Sequence, residues 1–405
     1  MKTSKRVVFL TTLTTIVMIF VCALIYISYL KADEKTIRVG YIYQGDSSTP
    51  YNKNFINAQK AIENEFGDQV ESIVFYNVSA ENIDSIYEEL IASKCDIVFA
   101  NSYGYGETVK RWAKENPGIQ FCQATCSNAN EGETLENYHN YMGTIYQGRY
   151  VAGVVAGAKL KEMILEGIIT KEQAVIGYVA AFPYAEVISG YTAFYMGVCS
   201  QIDTVVMKVI YVNSWSDYAN EKLATKRLIE DGCVLISQHS DTIGPAVVCQ
   251  EMCEYYPVIH VGYNGSMIDV APTTSLISSK INWIPYELAA VEAVLMDKKI
   301  ERNIDGEIEG NDAWAGFDKG WIELIGLNEF IAPEGVEELI DTTVKELERG
   351  LIDVFSGPFT GTDPFDYSDV IDLSTSPYQE NKKRSAPQFH YVLDDVIEII
   401  ELTEE

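Results

Sequence analysis

From Thr36 onward, short apolar runs alternate with segments of helical spacing, and that alternation restricts the chain to an α/β fold with a parallel sheet. Ile37-Arg-Val-Gly-Tyr-Ile-Tyr43 is nearly continuous in apolar residues, as a strand covered on both faces should be. Pro50 suits the first turn of a helix, with Thr49 as its cap. Phe55, Ala58, Ile62 and Phe66 follow at helical spacing, and Gly67 ends the run. Ile73–Tyr76 and Asp96–Ala100 predict two further strands, with a helix marked by Ile83, Ile86, Leu90 and Ile91 between them. Another helix around Val109 and Trp112 leads through Pro117-Gly118 to the strand Ile119–Cys122.

The rhythm then restarts. Strands are predicted at Ala174–Ala180, Thr204–Val212, Cys233–Ile236 and Val258–Gly262, separated by helices at Ala185–Gly197, Lys222–Glu230 and Ala246–Tyr255. At 405 residues the chain exceeds one hydrophobic core, so two successive units of similar size imply two lobes. A net charge of −29 excludes a nucleic-acid partner, which needs a basic face, and suits a solvated exported surface.

The N-terminus carries a separate signal. Lys2, Lys5 and Arg6 precede an uncharged run from Val7 to Leu30, and Lys31–Lys35 begins a polar linker. As a helix, that run would span about 36 Å, enough for the hydrocarbon core of a bilayer. The positive flank predicts the N-terminus inside and the body outside. Ala23 and Ser28 make poor cleavage sites, and Ile19-Phe20-Val21 before Cys22 is unlike a lipidation signal. An uncleaved anchor over 7–30 is therefore expected, placing the body on the extracytoplasmic face of the cell membrane.

Catalytic chemistry finds little support. Gly104-Tyr-Gly106 follows a strand, but Val109 stands where a dinucleotide fingerprint needs its third glycine, so a tight turn is expected. Gln238-His-Ser-Asp241 is polar and follows a strand, yet adjacent residues on one loop do not make a triad. His260 lies within an apolar strand and is expected in the core. No metal-ligand spacing and no cofactor motif is found. Beyond Cys22 the seven remaining cysteines cannot all pair, and buried free thiols are expected.

Aromatic residues at the predicted strand ends stand out: Tyr51, Tyr103, Tyr105, Phe182, Trp215 and Trp283. Ligands of open α/β sheets meet the carboxyl ends of the strands, and flat rings among polar neighbours suit a planar uncharged ligand. A heterocyclic base or nucleoside fits that description; a sugar would also stack there.

From Ile37 to Ile397 the chain resembles the basic membrane protein family of ABC-importer substrate-binding proteins. The matching segments, in order, are Gly67-Asp68, Gln147–Gly153, Ile176–Pro183, Val212–Asp217, Ser237–Asp241, Asn282–Tyr286 and Phe355–Pro358. The resemblance implies a two-lobed type I periplasmic-binding-protein fold, with no bond made or broken. It implies a small-molecule partner, most readily a purine base or nucleoside, and permease and ATPase subunits on other chains. Tyr51 and Tyr103 match cleft aromatics of the first lobe, with Asn54 beside them. Phe182 and Trp215 match aromatics of the second, and His239 and Asp241 its polar loop. Trp283 and Asn264 complete the candidate set; relatives often carry an acid where Asn264 or Gly265 stands, and its absence favours a free base. A membrane-tethered sensor would use the same cleft, and a nucleoside-hydrolysing enzyme is the remote alternative. The expected organisation is an n-region at 1–6, anchor at 7–30 and linker at 31–35. Lobe 1 then takes 36–143 and 263–300, lobe 2 takes 144–262 and 301–362, and 363–405 is an extension packing on the lobes. Crossings are expected near 142–146, 261–264 and 299–312.

Overall fold

The computed structural model describes residues 17–21, 35–203 and 205–402. Of the expected anchor, residues 17–21 are helical, and the rest, Cys22 included, lies outside the described residues. Among the described residues no helix is long and apolar enough to cross a membrane.

The first lobe runs β1 (Ile37–Ile42), α1 (Pro50–Phe66), β2 (Val70–Phe75), α2 (Tyr87–Ala92), β3 (Ile97–Ala100), α3 (Gly106–Glu115), β4 (Gln120–Ala124) and β5 (Tyr138–Gly143). The chain crosses at Thr144 into α4 (Ile145–Leu165), β6 (Val175–Ala180), α5 (Ala185–Cys199), β7 (Val206–Tyr211) and α6 (Tyr218–Glu230). The second lobe continues with β8 (Leu235–His239), α7 (Gly244–Met252), β9 (Ile259–Tyr263) and β10 (Ser275–Ile281). After β10 the chain returns to the first lobe for α8 (Ile284–Leu295), β11 (Glu307–Glu309) and β12 (Asp312–Ala315). It crosses again to β13 (Ile322–Ile325) and α9 (Val336–Glu348), and ends in β14 (Thr360–Thr362), β15 (Val370–Asp372), β16 (Val392–Leu393) and β17 (Ile397–Ile400).

Two seven-stranded sheets result, ordered β11-β12-β5-β4-β3-β1-β2 and β13-β10-β9-β8-β6-β7-β17. All pairings are parallel except the edge strands β11 and β13. β14, β15 and β16 form a small antiparallel sheet of their own. The second and third crossings lie later than the sequence pattern placed them. β10 pairs with β9, so residues 275–281 belong to lobe 2, and β12 pairs with β5, so residues 312–315 belong to lobe 1. β17 extends the second sheet beside β7, while Ser385 N–H bonds the Asp312 carboxylate of the first lobe at 3.1 Å.

Local chemistry explains the element ends. Gly67 closes α1 at φ +50°, and its N–H reaches Glu63 O. The Thr49 hydroxyl accepts from Asn52 Nδ2 at 2.8 Å and caps no backbone N–H, unlike the expected cap. α4 and α5 approach until backbones touch. A Cβ on Gly153 would lie 2.1 Å from Phe194 O, and one on Gly197 would lie 2.1 Å from Tyr150 O. His260 is buried and bonds Gln238 Oε1 at 3.1 Å. The described cysteines are all free, and five of the seven are buried.

One buried group in the first lobe's core works against stability. Glu287 accepts from Tyr141 OH at 2.9 Å, and its second oxygen has no partner. Burial pushes its carboxyl up to about 8, and the tyrosine bond offsets only part of that. Between the ordinary carboxylate value and about 8 the native state therefore holds more protons than the unfolded one, so stability falls as pH rises through that window. Glu287→Gln keeps the acceptor and removes the charge. Chemical denaturation should show it more stable than wild type by roughly 2–4 kcal/mol near pH 7.5, the gain vanishing toward pH 4.5. A pH-independent difference would contradict this account.

Candidate functional site

The carboxyl ends of the strands in both sheets face one narrow space of about 360 Å³, its mouth included. From the first lobe it is lined by Gln44 after β1, Tyr51 on α1, Ser102 and Tyr103 after β3, and Thr125 after β4. The second lobe supplies Glu186 on α5, Trp215 after β7, His239 and Asp241 at the end of β8, and Tyr263 at the end of β9. This is where the switch-point rule for open α/β sheets puts a ligand.

Five sequence candidates meet here: Tyr51, Tyr103, Trp215, His239 and Asp241. Phe182 stands directly behind them, 5.5 Å from the Trp215 ring in edge contact and stacked at 5.0 Å on Tyr184. Tyr184 in turn lies 5.9 Å from Tyr103, so rings of the two lobes close on one another. Asn54 and Asn264 form a lobe-to-lobe tie, Asn54 Nδ2 donating to Asn264 O at 2.9 Å. Trp283 is a correction. It is buried in the first lobe's core, stacked on Phe55 at 4.3 Å and edge-on to Tyr141 at 5.5 Å. It immediately precedes α8, which packs on α1, and that packing turns the ring inward. Tyr105 is likewise core, its hydroxyl donating to Val78 O at 2.5 Å.

The first-lobe loops are held by amides. Asn101 Oδ1 accepts from Gln44 N–H at 2.9 Å, and Asn101 Nδ2 donates to Asn52 Oδ1 at 2.9 Å. Ser102 Oγ donates to Gln44 Oε1 at 2.6 Å, and Tyr51 OH donates to Asn101 O. In the second lobe, buried Glu221 grips the loop that carries Asp241. It accepts from Ser240 Oγ at 2.8 Å and from Thr242 Oγ1 at 2.6 Å. Asp241 N–H donates to Trp215 O at 2.8 Å, which locks the aromatic and acidic loops together.

These groups differ sharply in charge preference. Burial, reinforced by Glu221 and Glu186, holds the Asp241 carboxyl well above the usual carboxylate range. His239 is pushed down to about 4, first by burial and then by the positive charge of Arg149, against the opposing pull of Glu186. Its Nε2 is 3.6 Å from Glu186 Oε1, too long for a hydrogen bond, and both ring nitrogens lack partners. The floor thus offers a neutral imidazole, two carboxyl groups and a phenol to whatever enters.

Tyr184, Glu186 and Tyr263 escaped the sequence pattern. Glu186 is a first-turn acid on α5, four residues past Phe182 in the loop after β6, and that position was the available signal. Tyr263 closes an apolar strand and reads as core from its neighbours. The described residues with metal-ligand geometry, Asp363, Asp369 and His390, lie within 4.8 Å of one another in the C-terminal extension and line no part of the cleft.

Two α/β lobes closing aromatic and polar loops over a shared space define a two-lobed solute-binding protein of the periplasmic type. The chain is a member of the family described as ABC transporter substrate-binding protein PnrA-like, whose model matches residues 37–352. It is 29% identical over 335 residues to a purine-binding protein of Brucella abortus, covering 82% of this chain and 86% of that one. It is 27% identical over 300 residues to a putative ABC transporter glucose-binding protein of Haloferax volcanii, covering 74% and 69%. In fold it matches an ABC transporter solute-binding protein from Conexibacter woesei at TM-score 0.58 and 15% identity, over 78% of this chain and 98% of that one. A periplasmic solute-binding protein from Actinobacillus succinogenes with bound D-allose matches at TM-score 0.51 and 16% identity, over 72% and 98%. Membership of this family makes a small molecule and an ABC permease the chain's partners.

Proposed function

We propose that the chain captures a free purine base between its lobes on the extracytoplasmic face, tethered by residues 7–30, and delivers it to an ABC permease. The observation that carries this reading is the ring cluster of Tyr103, Phe182, Tyr184 and Trp215 over a floor of hydrogen-bonding groups. A purine presents a flat π-face and an edge that both donates and accepts, which such a cluster and floor match. The purine-binding relative supports the same reading.

Lobe closure supplies the signal to the permease. Gly265 of the second lobe sits against the Pro50 ring of the first, where an added Cβ would come within 2.9 Å of Pro50 Cβ, so the closed state depends on the absence of a side chain there. Ligand contacts made by both lobes at once favour that state over the open one.

Thermal unfolding of the purified full-length chain tests the ligand class. Hypoxanthine, guanine or adenine at about 100 times its dissociation constant should stabilise the protein by about 2.7 kcal/mol, while glucose leaves the midpoint in place. Stabilisation by glucose with none by the three bases would overturn the proposal.

A further inference from the structure

Arg149 is the least expected residue beneath the cleft. It lies on the first turns of α4, in a stretch from Gly148 to Gly157 that is otherwise uncharged and almost wholly buried. Its side chain is fully buried. Nη2 donates to Gln238 O at 2.7 Å, while Nε and Nη1 have no hydrogen-bond partner. The guanidinium stands 3.8 Å from the centroid of the Tyr263 ring and 5.9 Å from that of Tyr178. Tyr263 and His239 both line the cleft, their ring centroids 4.6 Å apart. Gly190 leaves room for both neighbours, since a Cβ there would be 2.6 Å from His239 Nδ1 and 3.9 Å from Arg149 Nε.

A buried cation that lacks most of its hydrogen bonds is costly, and a hydrocarbon side chain of similar length would suit the fold better. Packing therefore does not account for an arginine here. We propose that Arg149 is a positioning residue of the ligand cleft, whose buried guanidinium, set behind Tyr263 and His239, makes that side of the floor the donor side. The inference rests on the reading of the cleft as a base-binding site. A cation against the π-face withdraws electron density from the Tyr263 ring and strengthens its hydroxyl as a donor. The same charge disfavours imidazolium at His239, in concert with burial.

The groups around His239 set the opposite side. Glu186 of α5 lies 3.6 Å away, Asp241 follows on the same loop, and Glu221 of α6 lies behind that loop. Acceptor atoms of the ligand, a ring nitrogen or carbonyl oxygen, would turn toward Tyr263 and His239. Its N–H groups would turn toward Glu186 and Asp241. The ligand class is thereby narrowed to a neutral planar heterocycle with an acceptor edge and an N–H edge.

The test uses the full-length protein with Arg149→Met and Arg149→Lys, hypoxanthine as probe in calorimetry, and thermal unfolding without ligand. Arg149→Met should unfold at or above the wild-type midpoint yet bind hypoxanthine about tenfold or more weakly, the equivalent of one order in Kd. Arg149→Lys, which keeps the charge, should restore most of the affinity. A lowered midpoint with unchanged affinity would make Arg149 a structural residue and overturn the proposal. Equal weakening in both variants would overturn it as well. If wild type binds glucose but no base, the base reading fails, and the same variants measured with glucose still decide the role of Arg149.

Discussion

Gly197→Val is expected to leave the second lobe unable to fold, giving insoluble protein or a soluble form without a cooperative thermal transition. The cause is the contact between α4 and α5, where no side chain fits. A Cβ at Gly197 would stand 2.1 Å from Tyr150 O and 2.8 Å from Val154 N, and both are backbone atoms that no rotamer change can move. Gly153 and Gly157 face the same seam, at 2.1 Å from Phe194 O and 2.7 Å from Val198 O. The milder Gly197→Ala is the sharper measurement, because two effects oppose each other. In a free helix, alanine is favoured over glycine by about 1 kcal/mol. Forcing the helices apart in a packed core costs about 1–3 kcal/mol or more. The contact should win, so Gly197→Ala should lower stability to denaturant, and a stabilised variant would show that the helices do not meet as described.

That seam also decides where the ligand groups stand. α4 carries Arg149 and α5 carries Glu186, so the helix pair sets the spacing of the cation and one acid beneath the cleft. A separation of the pair would disturb binding even where the fold survives. Gly197→Ala should therefore weaken ligand affinity in addition to stability, whereas a core variant far from the seam would change stability alone.

The fold was legible because most of its strands are covered on both faces. β1, β6 and β9 are almost wholly buried, and each appears in the sequence as an apolar run between turn residues. β10 was hidden for a physical reason. Its Ser275, Ser278 and Ser279 are buried, so a core strand carries a polar composition and no periodic signal. Missing it shifted the second crossing from residues after 281 to residues near 263. The hairpin of β11 and β12 was missed for its shortness, each strand having three or four residues.

The site was legible only in part. Loops after strands identified Tyr51, Tyr103, Trp215, His239 and Asp241, because the carboxyl-end rule acts on position in the sheet. Ring direction is not a local property, and Trp283, with a polar neighbour in Asn282, turned out to stack on Phe55 in the core. Glu186 and Arg149 depend on which helix faces which strand. A lone arginine in an apolar helical stretch was the visible clue to the second.

Trp215→Ala is expected to weaken ligand binding by up to about two orders of magnitude while leaving the fold intact. Trp215 belongs to the loop after β7 and is only partly buried, with its ring 5.5 Å from Phe182, 6.3 Å from Tyr184 and 6.4 Å from His239. Its structural duty is carried by the backbone, since Trp215 O accepts from Asp241 N–H at 2.8 Å and alanine retains that bond. The unfolding midpoint without ligand should therefore move by little. Loss of a base–aromatic stack costs about 1–3 kcal/mol, which corresponds to roughly 5- to 150-fold in Kd. The upper part of that range is expected, because Phe182 and Tyr184 lean on the same ring and lose their support with it. Trp215→Phe should recover part of the affinity by restoring a smaller π-face. Calorimetry with hypoxanthine on the three proteins separates the possibilities. An unchanged Kd in Trp215→Ala would place the ligand elsewhere in the cleft. A loss in Trp215→Ala with no recovery in Trp215→Phe would assign the tryptophan to its indole N–H instead of its π-face.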